Sequence, residues 1–127
     1  MPRGARPTND RKTMLSITPE AVEAAYELLR TTPPFDGWRL PPGDQVEFRV
    51  TGDRTALGSC HTDRACITIS GHLHGHLSSL LETMAHEMIH LWQARRGAGR
   101  PDVDHDREFT RAAQRIARLH GFDPRQF

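Results

Sequence analysis

The segment TMAHEMIHLWQ, Thr83 to Gln93, sets His86 and His90 four residues apart, with Glu87 directly after the first histidine. On a helix that spacing stacks the two imidazoles on one face, a single turn apart, where both can meet one ion. Neutral imidazole is a good zinc ligand at about 2.0–2.1 Å. Glu87 falls about 100° around from His86. It can therefore flank a metal-activated water without ligating the metal. A carboxylate so placed takes the water's proton and later delivers it to a leaving amine.

Two histidines leave a zinc site incomplete. A catalytic zinc usually takes three protein ligands and keeps one position for water. The metzincin continuation H-E-x-x-H-x-x-G-x-x-H is excluded, because Gln93 stands at the glycine position and Arg96 at the third histidine. The next candidates are His105 and Glu108, at the start of the last helical pattern. His105 is preferred. Glu108 stays open, because a glutamate on a following helix is the gluzincin solution.

The elements that must position these groups can be read from pattern. Thr18-Pro19-Glu20 combines a hydroxyl cap, proline at the first helical position and an early acid. It predicts a helix to about Arg30 that buries Ala21, Val22, Ala25, Leu28 and Leu29. VEFRV (Val46–Val50) alternates as a strand does, and ALGSC and ACITIS flank an HTDR turn as a hairpin. A helix from about Leu77 to Arg95 carries the histidines. Its apolar stripe is Leu81, Met84, Ala85, Met88 and Trp92, and His86 and His90 lie opposite with Gln93, Glu82 and Ser79. GAGRPD breaks that helix. A last helix runs from about Asp106 to His120, with Gly121 as its stop and His120 as a cap. The order of helix, small three-stranded antiparallel or mixed sheet, and two helices is an α+β fold.

A chain of 127 residues suits one domain, at 14–127, whose core is small enough for a bound metal to matter. Residues 1–13 read as a flexible basic arm. Its Arg3, Arg6, Arg11 and Lys12 could touch phosphates, but a solvated tail is the plainer expectation. The composition, 36% apolar and 26% charged, is that of a globular chain. A net charge of +1 gives no overall pull towards nucleic acid or membrane. No run of about 18 apolar residues marks a membrane span, and the N-terminus has no apolar signal region. The expectation is a cytoplasmic, monomeric protein in which Cys60 and Cys66 are reduced thiols.

Several segments, in order, resemble the SprT-like metallopeptidases, the family that includes the Spartan DNA–protein crosslink proteases: LGSC, ITIS, HEMIHLWQ and HDREFTRAAQRIARLHGF. The likeness covers about residues 16 to 123. It implies a minimal zincin-like metallopeptidase domain with Zn2+ held by His86, His90 and His105. It also implies Glu87 as general base for a zinc-activated water, Phe109 as a core anchor, and a substrate peptide added as a strand to a sheet edge, for which ACITIS is the expected strand. Asp106 stands where the family usually has glycine; an acid there suits a helix N-terminus. Asp102, Asp104 and Asp106 are each candidates to orient a ligand histidine.

Other features carry weaker signals. Arg107, Arg111, Arg115 and Arg118 form one stripe on the last helix, a candidate DNA contact or a charged solvent face. His72, His74 and His76 alternate without a defined ligand set. Cys60 and Cys66 are possible cross-strand neighbours, with a structural zinc shared with His61 as a remote option. Tyr26 is the single tyrosine and lies far from the histidine motif in sequence. The rival to a peptidase is a non-catalytic, zinc-stabilised module that binds nucleic acid or protein.

Overall fold

The computed structural model describes residues 17–61, 63–72, 76–97 and 105–123. The basic arm, His74, Asp102, Asp104 and most of GAGRPD lie outside the described residues.

The first helix, α1 (Pro19–Arg30), starts where its cap residues predict: the Thr18 hydroxyl accepts from the Ala21 N–H. Its buried face is Val22, Ala25, Tyr26 and Leu29. Ala21 and Leu28 are exposed instead, Leu28 by 53%. The apolar arc is centred on Tyr26, whose ring meets Phe48 at 5.2 Å and whose hydroxyl donates to the Pro41 carbonyl at 2.6 Å. Tyr26 is thus a fully buried core residue.

Strands β1 (Glu47–Thr51), β2 (Gly58–His61) and β3 (Cys66–Ser70) form a mixed sheet in the order β1-β3-β2. β1 runs parallel to β3, and β2 antiparallel to it. This corrects the expectation for ACITIS: β3 is the central strand, paired on both sides, and four of its five residues are buried. Near-continuous burial is what a strand with neighbours on both sides requires. The edges are β1 and β2. The register sets Cys60 opposite Ile67, and His61 opposite Cys66. Since successive side chains point to opposite faces, the two cysteines face opposite sides of the sheet. Both are free thiols.

Helix α2 (Leu77–Arg95) packs on α1 and on β2, and α3 (Arg107–His120) packs on α2. Burial on α2 is wider than one apolar stripe. Leu80, Met84, Ala85, Met88, Ile89 and Leu91 are buried, and so are Thr83, Glu87 and Gln93. Leu81 and Trp92, expected in the stripe, are half-buried. A helix walled on several sides loses clean amphipathicity. Beside it, Trp92 stacks on Trp38 at 4.1 Å, with the Arg96 guanidinium over the Trp92 ring at 4.2 Å. Gly58 lets β2 approach this helix. A Cβ there would meet the Thr68 carbonyl at 2.9 Å and the Thr83 side chain at 3.0 Å.

Asp106 caps α3, its carboxylate accepting from the Phe109 N–H at 2.9 Å. Gly121 ends the helix at φ 78, returning its N–H to the Ala117 carbonyl. His120 does not cap its own helix: its Nε2 lies 2.7 Å from the Pro33 carbonyl and ties α3 to the turn after α1. No helix among the described residues is long and apolar enough to cross a membrane.

Candidate metal centre

His86 and His90 project from α2 and His105 from the residue before the α3 cap. The three rings converge, with centroids at 5.0 Å (His86–His90), 4.7 Å (His86–His105) and 5.5 Å (His90–His105). Phe109 is the floor beneath them, 4.8 Å from His86, 4.8 Å from His90 and stacked at 4.3 Å on His105. It is 3% exposed, so the core itself sets the height of the ring cluster.

One ligand nitrogen from each histidine can be chosen so that all three lie within 4.8 Å of one another. His86 Nε2 and His105 Nε2 are 3.1 Å apart. Two nitrogens at zinc distance in tetrahedral geometry are about 3.3 Å apart. One edge of the triangle is thus close to the spacing of a metal pair, and a donor set of three imidazoles fits zinc. Among the described residues this is the single such cluster, and His72 and His76 are not in it.

Glu87 is 5% exposed and near enough to β2 for its charge to act on the Cys60 thiol. Burial pushes the Cys60 thiol up to about 12, and the Glu87 carboxylate and Cys66 add to the shift. Cys60 is therefore a protonated, packed group beside the acid, a neighbour that the spacing of the motif does not reveal.

Glu108 is engaged elsewhere. One carboxylate oxygen accepts from Gln93 Nε2 at 3.0 Å and the other from Arg96 at 2.6 Å. Hydrogen bonds from Gln93 and Arg96 hold its carboxyl below the usual range. Gln93 Nε2 also lies 3.0 Å from Asp106 Oδ1. Asp106, one of the acids proposed to orient a ligand, so accepts from the α3 backbone and from Gln93. The sequence put Gln93 on the histidine face but gave it no task. Arg107, Arg111, Arg115 and Arg118 are all exposed, and among the described residues none forms a salt bridge. Tyr26 is fully buried, with its hydroxyl committed to the Pro41 carbonyl.

The chain is an α+β domain in which two histidines of one helix meet a third that stands just before the next, a group able to hold a metal ion. A model of the SprT-like family matches residues 31–126, and the chain belongs to that family. No curated protein and no solved structure matches it.

Proposed function

We propose that this protein is a zinc-dependent metallopeptidase, with His86, His90 and His105 as the metal ligands and Glu87 as the general base. The observation that carries the proposal is the convergence of three imidazoles, one of them from the residue that precedes the buried Glu87. Zinc bound there would supply a Lewis acid for the scissile carbonyl and a water of pKa about 7.

The chain's own groups do the rest. Glu87 takes the water's proton and passes it to the leaving amine. Its burial beside Cys60 keeps bulk water from competing for that proton. The rings of His86, His90 and His105 all pack on Phe109, which holds them close to one another before a metal binds. A substrate strand would add to the outer edge of β2, which pairs with β3 alone and lies next to α2.

A second reading is favoured by one observation, the four exposed arginines on one face of α3. They suit phosphate contact, as in a non-catalytic, zinc-stabilised module that binds nucleic acid, or in a peptidase acting on DNA-associated proteins. The peptidase reading is tested by incubating the zinc-loaded protein with an unfolded polypeptide such as casein. Fragments should appear with zinc and cease with a chelator. Zinc retention with no cleavage of any unfolded substrate would favour the binding module.

A further inference from the structure

We propose that Gln93 is a positioning residue that sets His105 against the histidine pair of α2. This rests on the reading of His105 as the third ligand. Three polar side chains recur on α2 at His86, His90 and Gln93, spaced four and three apart, and so share one face. The first two meet the His105 ring, and the third meets the carboxylates of the turn that follows it. Gln93 is 4% exposed. Its amide nitrogen donates to Asp106 Oδ1 and to Glu108 Oε1, both at 3.0 Å. Asp106 directly follows His105, and the same Oδ1 accepts the Phe109 N–H that starts α3. Phe109 in turn stacks on His105. One amide therefore grips both sides of the first turn of α3, and Arg96 closes the network on Glu108 at 2.6 Å.

The residue type fits the task. Asp106 and Glu108 bring two carboxylates to one point, and a neutral NH2 group offers one donor to each. Glutamate at 93 would set a third carboxylate against them, and an apolar residue would leave both acceptors without the amide. His105 lies 15 residues beyond His90, so its place near the pair must come from contacts across α2 and α3. Groups that orient a metal ligand from behind typically change metal affinity 10- to 100-fold.

The test is a thermodynamic cycle on the full chain. The zinc dissociation constant is measured by competition with a chromophoric chelator for the parent, Gln93→Met, His105→Ala and the double variant. Gln93→Met should weaken zinc about tenfold or more in the parent and have no further effect in the His105→Ala background. The visible spectrum of the Co(II)-loaded Gln93→Met protein should move towards that of His105→Ala. Gln93→Glu, matched in size, carries the same expectation should the methionine variant not fold. Unchanged zinc affinity in the glutamine variants, or an equal loss with and without His105, overturns the inference. If His105→Ala itself binds zinc as tightly as the parent, the ligand assignment fails and the inference falls with it.

Discussion

Glu87 and His105 carry different parts of the chemistry and should fail in different ways. His105→Ala removes one of three donors, so zinc retention should fall by at least tenfold in chelator competition; undiminished retention would contradict its role. Glu108, the other candidate, has both carboxylate oxygens engaged by Gln93 and Arg96. That engagement was not legible in the sequence, because the partners are 15 and 12 residues away and meet only when α3 folds back on α2. Tyr26 was unreadable for the same reason. Its fate depends on the Pro41 carbonyl, a contact with no local pattern. Tyr26→Phe removes that bond while keeping the ring, and should cost about 1 kcal/mol in chemical denaturation; no change in the midpoint would contradict it.

At the scale of elements, caps were the most legible features, because their chemistry is local. Thr18, Asp106 and Gly121 all act within four residues of themselves. Gly121→Ala must hold a side chain at φ 78 and should cost about 1 kcal/mol, seen as a lower thermal midpoint. An equal midpoint would mean that the end of α3 is not held there. Strand order was not legible, since alternation in ACITIS marks a strand without saying how many neighbours it has. The pairing of β1 with β3 leaves β2 as the edge beside α2. Gly58→Val should therefore lower both stability and peptide cleavage, by forcing β2 away from Thr83. Loss of stability with full cleavage would remove β2 from the substrate path.

Across the whole molecule, the small core and the metal site are coupled. The His cluster rests on Phe109, and Phe109 belongs to the same core as Met84, Met88 and Ile116. A ligand that binds only the folded state adds about 2.7 kcal/mol at a hundredfold excess over its dissociation constant. Chelation should then lower the thermal midpoint by about 10 °C, and an unchanged midpoint would contradict the coupling. Acid should act through the carboxylates. The Glu27 carboxyl is held below its usual range, first by the hydrogen-bonded Arg30 guanidinium, which outweighs the opposing effect of burial, and then by the Gly43 N–H. A depressed folded-state value means that its contribution is complete above the ordinary carboxylate range and is lost as pH falls through the lower folded value. The stability gap between the parent and Glu27→Gln should be present at neutral pH and close in acid; Glu27 is half-exposed, so the gap should be under about 1 kcal/mol.

The central claim is that Glu87 moves a proton and does not hold the metal. It is tested most directly by the rate of casein cleavage by Glu87→Gln, with bound zinc quantified in the same sample. Zinc content should match the parent, with the rate reduced at least 100-fold. Cleavage at the parent rate, still abolished by chelator, would contradict the account.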